Sequence, residues 1–277
     1  WLVSAGAPRA VLNLHYKPET ICAVVGDGEE LGLPVRYSWE DPVLGSAGGP
    51  RRALPLLEAD RFLIVNGDTL CHVDLTALVR EHDASGALAT MAVVPNPAPE
   101  RYGGAMVSDD GRVERFTPRG TAGPSWHFVG IQAAEARAFS RLSPDERSES
   151  VGGLYPELIR ERPGSVRAFR LSAPFHDIGT PADCLVTSRQ IASSEGRSLP
   201  IMGSRCRVAS TARLAGTLLW DDVAVGEGAV LTDCIVADQV SIPDGMSLTG
   251  CAVVVAGGHT PGPGEELRGD LLVARLS

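Results

Sequence analysis

"FLIVNGDTL", residues 62–70, sets four apolar residues against Asn-Gly-Asp. A short apolar run bounded by turn residues reads as a strand buried on both faces, as in a parallel sheet. Asp68 then has two readings. It is a turn former that ends the strand, or it is a carboxylate held at a strand's carboxyl end, where open α/β sheets bind their ligands.

The flanking sequence supports such a sheet. "AVLNL" (10–14), "LPVRYS" (33–38) and "ALATMAVVP" (87–95) read as strands. Between them, "PETICAVVGDG" (18–28) is a helix with Pro18 near its start and a Gly-Asp-Gly stop. "AGGPRRALPLL" (47–57) is a Gly-rich entry into a short helix. "VDLTALVREHDAS" (73–85) sets Leu75, Leu78 and Val79 on one helical face. Strand and helix in alternation imply an α/β fold with a Rossmann-like, mostly parallel sheet and helices on both faces. "GGAMVSDDGRVERFTP" (103–118) reads as a hairpin turning at Asp110-Gly111. "SWHFVGIQA" (125–133) and "VRAFRL" (166–171) are further strands, and "SVGGLYPELIRE" (150–161) holds a helix. In "HDIGTPADCLVTSRQIA" (176–192), Thr180 and Asp183 form an N-cap pair with Pro181 at the first helical position.

From about Leu199 the period becomes six. Val236, Ile242, Leu248 and Val254 keep strict spacing, and Val225 is one residue out of phase, which predicts a turn of different length between them. Hexads of this kind stack as a short left-handed β-helix, each coil burying its aliphatic position on the next. The competing arrangement is a sandwich of short strands. The expected domains are 1–195 and 196–277.

The composition narrows the partners. The 277 residues carry a net charge of -9, which argues against nucleic acid or an anionic membrane surface. No apolar run approaches the ~20 residues that span a bilayer. Six scattered cysteines form no C-x-x-C pair and no zinc spacing with the histidines, so they read as thiols in a reducing, cytoplasmic setting. The opening "WLVSAGAPRA" has neither Met nor the basic and apolar regions of a signal peptide.

Three loops could carry chemistry. In "EDPVLGSAGGPRRAL" (40–54), Gly45, Gly48 and Gly49 permit close backbone approach, and N–H groups at the following helix start could hold phosphate or base edges. Arg51 and Arg52 add positive charge. The segment matches neither common nucleotide fingerprint. Asn66-Gly67-Asp68 offers a carboxylate suited to Mg²⁺, which binds few protein oxygens and keeps substrate phosphates as other ligands. Asp177, in "FHDIGTP", is a second carboxylate in a comparable loop.

In this order, L-G-S-A-G, F-L-I-V-N-G-D, D-I-G-T-P-x-D and a hexad β-helix resemble the sugar-1-phosphate nucleotidyltransferases, the nucleotide-sugar pyrophosphorylases. The resemblance covers essentially the whole chain and is greatest to the mannose-1-phosphate guanylyltransferase group. It implies the reaction of an NTP with a sugar 1-phosphate to give an NDP-sugar and pyrophosphate. It also implies roles by position: Asp68 and Asp177 hold Mg²⁺, Gly45 and Gly48 line the base, and Asn66 braces the metal loop. Gly103 and Gly130 give backbone to the sugar, and Glu40 matches the acidic residue before the Gly-rich loop. His176 is a neighbour of a proposed ligand.

Two departures stand against the family pattern. Its sugar-phosphate lysine lies in F-x-E-K-P, whereas this chain has Phe116-Thr-Pro-Arg-Gly, so Arg119 would stand in, with the charge but not the shape of lysine. The family also opens with a strand and a G-x-G-T-R-L-x-P-L-T loop, then P-K-P, none of which is present here. That first strand is central in the family's sheet, and its absence predicts unpaired backbone on both neighbours. The sequence reads as a fragment of an enzyme, or else as a non-catalytic homologue that binds nucleotide sugar or another subunit. A β-helix acyltransferase is disfavoured, since no histidine lies between Leu199 and Val255. The β-helix is expected to serve oligomerisation or regulation.

Overall fold

The computed structural model describes residues 1–276. They form two compact units, one of residues 1–67 and 71–175, the other of residues 68–70 and those from His176 onward.

In the first unit, β1 (Ala10–Leu14), α1 (Pro18–Val25) and β2 (Val35–Trp39) precede α2 (Gly45–Leu57) and β3 (Arg61–Val65). Beyond β4 (Thr69–Cys71), whose Thr69 and Leu70 belong to the second unit, come α3 (Leu75–Ser85), β5 (Ala89–Pro95), the hairpin β6 (Gly104–Val107) and β7 (Val113–Thr117), and β8 (Trp126–Glu135). Then α4 (Ala136–Phe139), a wide turn at 150–154, α5 (Tyr155–Glu161) and β9 (Val166–Arg170) complete it.

The main sheet runs β7-β6-β8-β5-β9, with β3 on β8. It is mixed rather than mostly parallel. β5 and β9 are parallel, but β8 runs antiparallel to both β3 and β5. The reason is the β6–β7 hairpin, which hands the chain to β8 without the helical crossover that parallel neighbours need. β1 and β2 pair in parallel as a separate ladder. The sheet is therefore interrupted between β1 and β3, where the sequence predicts unpaired neighbours.

Alternation along the strands places helices on both faces, as expected. Phe62 and Ile64 of β3, with Met91 and Val93 of β5, pack with Leu54, Phe139 and Tyr155. Leu63, Val65, Ala92 and Val94 face the other way, onto Leu75 and Leu78 of α3. β5 is buried through six consecutive residues, which explains its continuous apolar run.

One polar group interrupts that second layer. His82 of α3 is buried, with Nδ1 2.8 Å from Thr90 Oγ1 and Nε2 3.4 Å from Glu135 Oε1. Burial lowers its pKa and the nearby Arg61 adds to this, against the raising effect of Glu135. The folded state thus holds a neutral imidazole that the unfolded chain protonates below about pH 6.5. Stability is full above that pH and falls as pH drops from it toward the lower folded-state value. Urea titrations across pH 7 to 5 should show this loss, and His82→Gln should flatten the profile by up to about one proton.

The second unit contains β10 (Phe175–Asp177), which pairs with β4, then α6 (Pro181–Ser194) and a parallel β-helix. Thr180 caps α6 as read from sequence, its Oγ1 accepting from the Asp183 N–H at 3.1 Å. Leu185 packs with Leu218 and Ile235, and Arg189 bonds the Gly216 carbonyl and Asp233. By contact, α6 therefore joins the β-helix, although the sequence boundary was expected after it.

The β-helix resolves the phase slip at Val225. Equivalent residues recur at a spacing of 17, as in the column Leu214, Leu231, Leu248. Each coil steps six, six and five residues. The short step separates Leu231 from Val236, and again Leu248 from Val253. Val253 is fully buried and Val254 is 40% exposed, so the inward residue is Val253, not the Val254 of a strict hexad count. Left-handed backbone recurs at Arg205, Asp222 and Gln239, one per coil at the same corner. All six cysteines are free thiols, with Cys234 and Cys251 buried.

Candidate functional site

A groove of about 450 Å³ opens in the first unit. Its walls are Val11 to Leu14 of β1 and Ile64, Val65, Asn66 and Gly67 at the end of β3, with Gly45 and Ser46 of α2 at its rim and Phe128 and Gln132 of β8 also lining it.

The Gly-rich loop is organised by Glu40. Its carboxylate is buried, accepting from Asn13 Nδ2 at 2.7 Å and from the Leu44 N–H at 2.8 Å. Gly49 is glycine for close approach, because a Cβ there would lie 2.5 Å from Glu40 Oε1. Glu40→Ala strands the Leu44 N–H and the Asn13 amide, and should cost about 2–3 kcal/mol in urea denaturation. Glu40→Gln should recover part of this, since Asn13 can turn its carbonyl to the new amide.

The start of α2 differs from expectation. Its N–H groups are already engaged: Ala47 and Gly48 donate to the Ser148 carbonyl at 2.9 and 3.1 Å. The Ser46 hydroxyl donates to Glu149 Oε2 at 2.8 Å and accepts from the Ser150 N–H at 2.8 Å. Partial burial opposes ionisation of Glu149, but donation from Ser46 and Arg147 outweighs it and holds the carboxyl below its ordinary range. The carboxylate thus sits where an anion would bind the helix dipole. Arg51 and Arg52 are also engaged, with the Leu142 carbonyl and Asp145. Nothing local in the sequence marks this arrangement, since residues 142–150 lie about a hundred positions downstream.

The structure sorts the remaining residues. Gly45 lines the groove with a φ of 80°. Gly48 is buried and faces the Glu146 carbonyl instead. Asn66 and Gly130 meet: the Asn66 N–H donates to the Gly130 carbonyl at 2.8 Å, and Gly130, at φ 78°, gives its Cβ space to the Asn66 side chain. Gly103 lies beside the strand that leads to Arg119, a Cβ on it coming 3.1 Å from the Thr117 carbonyl. Arg119 is exposed. Gln132 was not singled out from sequence. It is buried in the groove wall, and its Oε1 accepts from the Tyr155 hydroxyl at 2.6 Å. Burial raises the pKa of that hydroxyl, so it remains a donor.

Asp68 follows Gly67 in the chain and belongs to the second unit, as do His176 and Asp177. There the Ile178 N–H donates to the Asp68 carbonyl at 2.8 Å, which sets Asp68 beside the residue after Asp177. Asp68 is exposed and Asp177 half-buried. Gly179 leaves room for the Asp177 carboxylate, whose Oδ1 would be 3.3 Å from a Cβ at 179. No cluster of three or more potential metal-binding side chains occurs among the described residues.

Comparison with known proteins gives the family of the chain. Residues 2–194 match the nucleotidyl transferase family, and residues 174–251 match the GlmU-like C-terminal hexapeptide family. The chain is 27% identical to the mannose-1-phosphate guanylyltransferase of Mycobacterium tuberculosis, over 83% of its own length and 62% of that protein's. It is 25% identical to the UTP–glucose-1-phosphate uridylyltransferase of Synechocystis, over 81% of its own length and 62% of that protein's. The chain thus spans less than two thirds of each relative. The crystal structure of HddC from Yersinia pseudotuberculosis complexed with GMP-PN superposes with a TM-score of 0.58 at 23% identity, covering 69% of this chain and 81% of that one, a likeness of fold. With a match that runs across residues 2–194, the chain belongs to the nucleotidyl transferase family.

Proposed function

We propose that the protein transfers a nucleotidyl group from an NTP to a sugar 1-phosphate, releasing pyrophosphate, with GTP and mannose 1-phosphate as the preferred pair. One observation carries the reading. The loops of Asp68 and Asp177, far apart in sequence, share a backbone hydrogen bond through Ile178.

Two carboxylates on loops joined by that bond fit Mg²⁺, whose remaining ligands are water and substrate phosphate. When bound, that ion neutralises phosphate charge. The rest falls to this chain. The groove beside Gly45 and Asn66 holds the nucleoside, and Arg119 and the Gly103 backbone hold the sugar phosphate. An oxygen of that phosphate attacks the α-phosphorus in line, and the bond to the β-phosphate breaks, so the residues act by positioning and charge. Free thiols and the absence, among the described residues, of a helix long and apolar enough to cross a membrane are compatible with a cytoplasmic setting. The β-helix would serve contacts between copies of the protein.

The test is pyrophosphate release by this polypeptide with Mg²⁺, across a panel of NTPs and sugar 1-phosphates. GTP with mannose 1-phosphate should give the highest kcat/KM. Release at background for every pair would refute the reaction. A second reading draws on α2, whose N-terminal N–H groups are spent on Ser148 and Glu149. With that phosphate cradle filled, a non-catalytic nucleotide-sugar-binding homologue would bind NDP-sugar without turnover.

A further inference from the structure

Buried polar side chains in a folded protein have their hydrogen bonds met, and one left unmet calls for a partner from outside. Gln132 of β8 is such a group. It is 2% exposed and forms part of the groove wall. Its Oε1 accepts from the Tyr155 hydroxyl at 2.6 Å. Tyr155 is itself fully buried, so this bond fixes which end of the amide faces the core. The other end, Nε2 with its two N–H groups, has no hydrogen-bond partner among the described residues.

The nearby polar side chains are already engaged. Asn13 donates to Glu40, and the Ser46 hydroxyl donates to Glu149. The Ser150 hydroxyl donates to Ser46 at 3.0 Å. What else lines this part of the groove is apolar or bare: Ile64, which pairs with Gln132 across β3 and β8, then Phe128 and Gly45. A donor left unspent in such a lining is costly to bury, and it sorts guests by whether they bring an acceptor.

A nucleobase is a guest with the matching chemistry. Guanine carries O6, and thymine O4, where adenine and cytosine carry an amino group. Opposite a carbonyl, the Gln132 amide makes a hydrogen bond. Opposite an amino group it meets a second donor, and both stay unpaired. We propose that Gln132 is a specificity-determining residue, whose Nε2 donates to the oxo group of the base, O6 of guanine when the substrate is GTP, and so favours oxo bases over amino bases. Phe128, on the same strand, brings to the wall a ring on which a flat base packs. The inference rests on the nucleotidyl-transfer reading of the groove and adds to it the residue that chooses the base.

The test is equilibrium binding of three triphosphates with Mg²⁺: GTP, inosine triphosphate and the triphosphate of 2-aminopurine riboside. The first two carry O6 and the third lacks it. The full chain should bind GTP and inosine triphosphate about tenfold or more tighter than the third. Gln132→Met keeps the length of the side chain and loses the donor. In that variant the ratio should fall to about twofold or less, with affinity for the third little changed, as a cycle that isolates one contact requires. A ratio that survives in Gln132→Met would overturn the proposal, and so would equal weakening of all three ligands. The comparison in the parent chain needs no substitution, so a parent without preference overturns the proposal even where the variant fails to fold. Failure of the parent to bind any of the three would instead refute the nucleotide reading itself, and the inference with it.

Discussion

Asp68→Asn should reduce kcat/KM for pyrophosphate release by at least about 10³-fold, and Asp177→Asn by a similar factor. On the proposed reaction, each removes one of the two charges that would hold Mg²⁺ against the substrate phosphates, a contribution of several kcal/mol at about 1.4 kcal/mol per tenfold. The loss should not track stability. Asp68 is exposed and holds the Ile178 N–H through its backbone carbonyl, which the substitution leaves in place. Unfolding free energies from urea titration should therefore stay within about 0.5 kcal/mol of the parent. Raising Mg²⁺ should restore part of the activity of either variant, because a weakened site fills at higher concentration. Unchanged turnover in Asp68→Asn would remove that residue from the metal site and leave Asp177 without its partner.

Gly130→Ala should destabilise the first unit by about 2–5 kcal/mol. Two costs add. At φ 78° an L residue pays about 1–2 kcal/mol for left-handed backbone. The new methyl would also lie 2.8 Å from Asn66 Cβ, where the contact is with the root of a side chain and cannot be relieved by turning its tip. Overpacking of that kind costs about 1–3 kcal/mol. Because the Asn66 N–H bonds the Gly130 carbonyl, the displacement falls on the end of β3, one residue from Gly67 and two from Asp68. Nucleotide binding should weaken along with folding. Gly120→Ala is the control: it has a similar φ of 81° but no atom within 4 Å of its Cβ, so it should pay only the backbone cost. Equal effects of the two substitutions in urea denaturation would show that contact with Asn66 is not the cause.

Gly130 also shows where sequence reading stopped. By resemblance it was a glycine that gives backbone to a sugar. In the structure its bareness makes room for Asn66, a contact between β3 and β8 that no local pattern announces. The α2 start went the same way. Glycines before a helix suggested free N–H groups, but whether they are free depends on Ser148 and Glu149, which come from a loop about a hundred residues later. Glu40, by contrast, was marked from sequence as the acidic residue ahead of the Gly-rich loop, and its two hydrogen bonds give that position a physical purpose.

The sequence by itself determined the strands, the helices and the layering. "FLIV" and "ATMAVV" bury alternate residues on opposite faces because side chains on a strand alternate, and that period is written locally. It also determined the β-helix, since a coil that stacks on its neighbour must repeat its aliphatic positions. Tertiary structure alone decided the direction of β8 and which residue of the last coil, Val253 rather than Val254, turns inward. It alone set Asp68 beside Ile178. These are pairings between segments far apart in the chain, and a hydrogen bond or a contact is a matter of distance in space, which neighbouring letters in a sequence do not encode.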